Sequence, residues 1–313
     1  MPRGGGLAIG LGFSLPALAI TWLAGPSALT ADNPAGPMLI NGLLVGGLAA
    51  LALGALDDLR DLRPGAQLAG QLGVGVIAVA SRLWLERFTN PLSGQTIDIR
   101  AALPGAIGTA IVVGLTLLWY AGFINTVNWL DGVDGLAAGT GALAAGLFAM
   151  HMLVAFDQRT LALYPLVLAG ACLGFLPENL ARRRVFMGSS GSTFLGFTLG
   201  AMALIAPAKV ATALLVMAVP IVDVAWQILA RLRGGVAPWR ADRGHLHHRL
   251  YDRGWSPVAV LALYLTVAGA AGAVALLTPQ AAGMRAAVKL GALGAIAAGT
   301  VAGLWHLARQ EDA

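Results

Sequence analysis

The segment Asn125-Thr126-Val127-Asn128-Trp129-Leu130-Asp131-Gly132-Val133-Asp134-Gly135 places two amides and two carboxylates between long apolar runs. Asp131 and Asp134 are three apart, so a helix brings them to one face. Carboxylates in such a pair suit a hard divalent cation, and Asn125 and Asn128 can read a base or sugar edge. Gly132 and Gly135 permit close backbone approach to a ligand. The plain alternative is a polar helix start, but one cap would suffice for that. Asp57-Asp58-Leu59-Arg60-Asp61 is a second acidic cluster. On a helical continuation Asp58 and Asp57 each share a face with Asp61. Mg²⁺ typically takes one or two carboxylates together with substrate phosphates. Here the plain alternative is a solvated cap partnered by Arg60 and Arg63.

Two further clusters suit anions. Phe186-Met187-Gly188-Ser189-Ser190-Gly191-Ser192 follows three arginines and opens an apolar run. Small residues at a helix start leave N–H groups free to meet phosphate, although Gly-Ser turns are also ordinary loop chemistry. The spacing is not that of a P-loop. Asp242-Arg243-Gly244-His245-Leu246-His247-His248-Arg249 gathers three of the chain's five histidines. Such a loop can clamp a diphosphate, ligate a metal or move a proton. Zinc is the rival ion there, but neither cysteine ligands nor an HExxH pattern supports it. Asp223, inside an apolar run, is a further carboxylate, able to ligate a metal or to pair with Arg231 or a loop arginine.

The elements that must position these residues are membrane helices. The chain has 313 residues, 58% hydrophobic, 11% charged, with mean hydropathy +0.76. A soluble domain carries about 25% charged residues. The 42 glycines suit helices packed closely in lipid. A net charge of +5 raises the question of nucleic acid, which is rejected because no basic stripe with interleaved aromatics is present. Cys172 stands alone in an apolar run, which excludes an internal disulfide and predicts a packed thiol.

Apolar runs near 5–24, 38–56, 66–85, 104–123, 136–156, 161–180, 192–207, 210–230, 256–277 and 283–306 predict an all-α polytopic transmembrane bundle of about ten spans. Residues 1–313 form a single integral-membrane domain, and the first run is read as a retained span rather than a signal peptide. The segment 86–103 can form a small hairpin around Pro91 and Gly94. One set of alternate loops holds Arg3, Arg60, Arg63, Arg182, Arg183, Arg184, Arg231, Arg233, Arg240, Arg243, Arg249, Arg253 and Arg309. The other set holds Arg87, Arg100, Arg159, Lys209 and Arg285. The arginine-rich set is therefore cytoplasmic, as are both termini. All four polar clusters fall on that side.

On these residues the chain resembles the polyprenyl-phosphate N-acetylhexosamine-1-phosphate transferase family. The resemblance covers nearly the whole chain. It rests on Asp57-Asp58-x-x-Asp61, Asn125-x-x-Asn128-x-x-Asp131-Gly132-x-Asp134-Gly135, Asn179, Phe186-Met187-Gly188, Asp223 and His245-x-His247-His248. Asp61 and the H-x-H-H spacing resemble the branch that transfers GlcNAc-1-phosphate; the phospho-N-acetylmuramoyl-pentapeptide branch typically has Lys at the Asp61 position and three consecutive histidines. The resemblance implies a bacterial plasma-membrane enzyme with its active site at the cytoplasmic face. It would move N-acetylhexosamine-1-phosphate from a UDP-sugar to undecaprenyl phosphate and release UMP, starting a lipid-linked cell-envelope polysaccharide. The implied catalytic residues are Asp57, Asp58, Asp134 and His247. Substrate would be held by Asn125, Asn128, Asp131, Asn179, Ser189, Arg243, His245 and His248. Mg²⁺, or Mn²⁺ in its place, would be held by Asp58, Asp134 and Asp223. The implied partners are the two substrates and the bilayer, with a homodimer open as an assembly.

Two departures stand out. After Phe186-Met187-Gly188 the family pattern continues with Asp, and here the residue is Ser189, a neutral and poorer ligand. A catalytically impaired relative is therefore the second reading. The start, Met1-Pro2-Arg3-Gly4-Gly5-Gly6, resembles a family segment that normally follows a first helix, which predicts a truncated form or a misplaced start. A polytopic transporter is the third reading. Transporter sites lie near the bilayer midplane, whereas these clusters gather at one face.

Overall fold

The protein is described by a computed structural model covering residues 4–89, 95–103, 105–182, 185–205, 209–237, 244–278 and 282–309. Arg3, Pro91, Gly94, Arg183, Arg184, Arg240, Asp242 and Arg243 lie outside the described residues.

The apolar runs are helical, one of them in two pieces. In chain order these begin with α1 (Gly5–Asp32), α2 (Gly36–Arg60) and α3 (Pro64–Ala80). Strands β1 (Arg87–Thr89) and β2 (Thr96–Asp98) pair antiparallel with Phe88 opposite Ile97, the hairpin expected there. There follow α4 (Ile99–Ala102), α5 (Ala106–Leu130), α6 (Leu136–Phe156), α7 (Arg159–Arg182) and α8 (Gly188–Ile205). The described chain ends with α9 (Lys209–Val216), α10 (Ala218–Arg233), α11 (Leu246–Asp252), α12 (Pro257–Leu277) and α13 (Ala282–Arg309). Among the described residues, 8 helices are long and apolar enough to cross a bilayer. The protein is a polytopic all-α membrane protein.

Three expected spans differ in detail, each for a local reason. The run 66–85 gives a helix of only 17 residues, because the chain turns at Ser81 and Arg82 takes a left-handed φ of 56°. The run 210–230 is broken into α9 and α10, bent by 74°. Pro220 explains the break: its ring would clash with the carbonyl of Val216, the last residue of α9. The run 104–123 continues as helix to Leu130, so Asn125 and Asn128 lie on the last turns of α5 rather than in a loop.

The core is built around α8, in which every residue from Ser190 to Ala203 is buried. Helices α1, α2, α5 and α6 pack against it. In lipid, helices associate through close packing and polar links rather than through exclusion of water. Gly196 supplies the closest approach: a Cβ there would lie 2.6 Å from Ile124 Cα. Phe197 stacks on Tyr120 with centroids 4.9 Å apart, and Trp119 Nε1 donates to Gly200 O at 3.0 Å. Cys172 is buried, as expected of a packed thiol. Leu15, Trp22, Leu118 and Val154 point outward, as lipid-facing residues do.

Candidate active site

The end of α2, the end of α5, the end of α7 and the start of α8 meet at one end of the bundle. Asp58 is the joint. Its Oδ1 accepts from Ser189 N at 2.8 Å and its Oδ2 from Ser190 N at 2.9 Å. A carboxylate at a helix N-terminus satisfies orphan donors and the helix dipole together. The α8 start therefore already holds an anion, and it is Asp58. This corrects the expectation that these N–H groups stand free for phosphate. Close contacts hold the junction: Gly5 N and Gly6 N donate to the carbonyls of Phe186 and Met187 at 3.1 and 2.9 Å.

Asp57 faces another way. It is buried, with Oδ1 accepting from Leu62 N at 2.9 Å and Oδ2 from Gln67 Nε2 at 2.6 Å. Asp131, just past the end of α5, accepts from the Gly188 N–H. Burial pushes its carboxyl up to about 8, and the nearby Asp58 and Asp134 add to the rise. Asn128 Oδ1 accepts from Ser192 Oγ at 2.9 Å. Asn179 is a strut: its Oδ1 accepts from Gly135 N at 2.5 Å, and its Nδ2 donates to Val185 O at 3.1 Å. Asn125 is likewise engaged within the protein, by Gln71 and Ala121 O.

The histidine loop closes over this group. A Cβ on Gly132 would lie 3.0 Å from His247 Nε2 and 2.9 Å from His248 Nε2, so imidazoles sit directly against the Asp131–Asp134 turn. Helix α10 sets the loop. Asp223 Oδ1 accepts from Leu246 N at 3.0 Å and Oδ2 meets His245 Nδ1 at 3.2 Å. Gln227, one turn further on, donates to Gly244 O, to which Arg249 Nε also donates at 2.7 Å. His247 is fully buried, and neither ring nitrogen has a hydrogen-bond partner. Burial, with His248 and His245 adding, holds its pKa well below the ordinary imidazole value. Buried polar atoms are almost always paired, so an orphaned imidazole marks a place for a ligand.

The expected metal set does not form as written. Among the described residues no group of three or more His, Cys, Asp or Glu side chains could hold an ion. Asp223 is occupied with the histidine loop. The carboxylates whose charge bears on Asp131 are Asp58 and Asp134.

A profile described as glycosyl transferase family 4 matches residues 40–207, more than half of the chain. The chain belongs to glycosyl transferase family 4. It is 34% identical over 298 residues to the decaprenyl-phosphate N-acetylglucosaminephosphotransferase of Mycolicibacterium smegmatis, covering 85% of this chain and 69% of that one. A probable undecaprenyl-phosphate N-acetylglucosaminyl 1-phosphate transferase of Bacillus subtilis is 32% identical over 273 residues, covering 85% and 70%. A phospho-N-acetylmuramoyl-pentapeptide-transferase of Desulforudis audaxviator is 35% identical over 244 residues, covering 73% and 72%. Overall identity thus leaves the choice between family branches to individual residues.

Arg231, expected as a candidate partner of Asp223, is buried with its guanidinium 5.7 Å from the Trp129 ring, and Trp129 in turn lies 5.5 Å from His245. Three glutamines at the site carried no expectation from the sequence. Gln67, Gln71 and Gln227 hold Asp57, Asn125 and Gly244. Their one available signal was an i,i+4 spacing of polar residues inside apolar runs: Gln67 with Gln71, and Asp223 with Gln227.

Proposed function

We propose that the protein transfers GlcNAc-1-phosphate from UDP-GlcNAc to undecaprenyl phosphate, beginning a lipid-linked cell-envelope polysaccharide in a bacterial plasma membrane. The lipid phosphate oxygen attacks the sugar-linked phosphorus, the bond to the bridging oxygen breaks, and UMP leaves carrying that oxygen. Two relatives carry N-acetylglucosamine transfer to a polyprenyl phosphate in their names. The observation that carries the reading is the buried His247, its ring nitrogens without a hydrogen bond and its Nδ1 3.9 Å from Asp223 Oδ2, held against the turn of Asp131 and Asp134.

Phosphoryl transfer between two anions needs positioning and charge neutralisation above all. His247, neutral by its surroundings, can donate a ring N–H to a phosphate oxygen or take up a proton there. Asp223 fixes the ring of its neighbour His245. Asn128 keeps a donor end for substrate, since its Nδ2 has no partner among the described residues. A divalent cation suits the turn of Asp131 and Asp134, where burial and the negative charge of Asp58 and Asp134 disfavour a lone charge on the Asp131 carboxyl. Mg²⁺, or Mn²⁺, bound there would neutralise the diphosphate as charge shifts to UMP. Two carboxylates with substrate phosphates suffice for Mg²⁺, so no larger protein set is required. The arginine-rich loops favour the cytoplasm for this end, the side on which a UDP-sugar would be met.

The test is purified protein with undecaprenyl phosphate and a panel of UDP-sugars, assayed for Mg²⁺-dependent UMP. Release with UDP-GlcNAc above the other sugars is expected. Silence with every sugar, or sugar flux in vesicles without UMP, would defeat the proposal.

A further inference from the structure

Helix α3 looks like a plain membrane segment, yet it carries two glutamines one turn apart, Gln67 and Gln71. Gln67 Nε2 donates to Asp57 Oδ2 at 2.6 Å. Gln71 is buried and forms a reciprocal amide pair with Asn125. Asn125 Nδ2 donates to Gln71 Oε1 at 2.7 Å, and Gln71 Nε2 donates back to Asn125 Oδ1 at 3.3 Å. Asn125 Nδ2 also donates to Ala121 O at 2.8 Å, so both ends of its amide are used within the protein.

We propose that Gln67 and Gln71 are positioning residues, a brace on α3 that fixes the Asp57 carboxylate on α2 and the final turns of α5 together. This rests on the reaction proposed above. Two anchors, Leu62 N and Gln67 Nε2, set the plane of the Asp57 carboxylate while each oxygen keeps a second lone pair. Asn125 lies one turn before Asn128 and two before Asp131, so holding its amide sets the direction in which that ladder points. A pair of amides, Gln71 buried and Asn125 half-buried, is an expensive way to fill space between apolar helices, where leucine would pack without desolvation. The partners of the two glutamines, the Asp57 carboxylate and the Asn125 amide, both belong to the motif segments, which indicates orientation rather than adhesion. Asn125, expected from the sequence to contact substrate, becomes the receiving end of this brace.

Catalysis falls by about 100-fold for a misplacement near 1 Å. Gln67→Leu and Gln71→Leu are therefore expected to lower kcat by roughly 10- to 100-fold. KM for UDP-GlcNAc should stay within about twofold, since uniform binding is untouched. Asn125→Leu should match Gln71→Leu, and the double Leu variant should be no worse than either alone, because the pair acts as one unit. The exchanged pair Gln71→Asn with Asn125→Gln should recover most of the lost rate. A raised KM with unchanged kcat would mean substrate contact instead. A lowered melting temperature with unchanged activity per folded molecule would mean a structural strut only. Either result overturns the proposal. Amide hydrogen exchange gives a reading that needs no turnover: residues 127–131 should exchange faster in Gln71→Leu than in wild type. Unchanged exchange there refutes the brace even if the wild-type protein proves inactive, whereas wild-type inactivity refutes only the reaction.

Discussion

At the scale of single residues, two motif aspartates at the same end of the bundle, Asp58 and Asp134, separate into different tasks. Asp58 satisfies two donors at the start of α8. Asp58→Ala leaves those N–H groups without their partner and should cost about 1–3 kcal/mol of stability, read as a fall in melting temperature. Asp134→Ala should abolish most UMP release with little change in melting. Equal effects of both substitutions on stability would contradict this division. His247→Ala is expected to lower the rate by about 10²–10⁴-fold, the usual range for a lost proton-transfer group. Wild-type turnover in that variant would remove His247 from the mechanism. Ser189 adjoins Asp58 where the related pattern has a carboxylate. Ser189→Asp should therefore lower the Mg²⁺ concentration for half-maximal rate by about tenfold or more, measured by metal titration after chelation. No shift would place that side chain outside the ion's reach. Motif residues were legible because ionised groups beside hydrocarbon are costly and so conspicuous. What a motif residue touches was not legible: Asn179 reads as a substrate amide and is a backbone strut.

At the scale of elements, the helices were readable because lipid demands long apolar runs with internal hydrogen bonding. The break before Pro220 was visible as a proline but not as a 74° bend, since the size of a bend depends on what the second half packs against. The extension of α5 through Asn125 and Asn128 was hidden because polar residues read as loop when only hydropathy is followed. Gln67 and Gln71 give little signal for the opposite reason, being two amides diluted in an apolar run. The α5–α8 contact is the tightest test of the packing. Gly196→Val puts branched carbon where Ile124 backbone already lies, and overpacking of this kind costs about 1–3 kcal/mol. It should lower both melting temperature and activity, since the same two helices carry Asn128 and Ser192. Gly170→Val, with open space around it, is the control that should change neither.

At the scale of the whole molecule, convergence of distant segments on one end was predictable from the alternation of loops across a bilayer. The pairing of particular partners was not, because periodicity carries no information on which helices neighbour which. Sidedness can be checked directly. With the single buried Cys172 as background, Asp61→Cys, exposed at the site end, should react with an impermeant maleimide only once the cell interior is opened. Thr96→Cys, exposed in the β1–β2 hairpin, should react in intact spheroplasts. The reverse pattern would invert the topology. A last consequence follows from the backbone bonds that tie Gly5 and Gly6 to Phe186 and Met187. Some 180 residues separate these partners, and a ribosome adding about 5–20 residues per second needs on the order of 10–40 s to make that stretch. Throughout that interval the nascent α1 has α2 beside it but lacks α7 and α8, which pack against it in the finished protein. Final assembly is thus a late docking event, and a bulky tag fused close to Gly5 would be felt as slow maturation and degradation in the cell rather than as failed insertion.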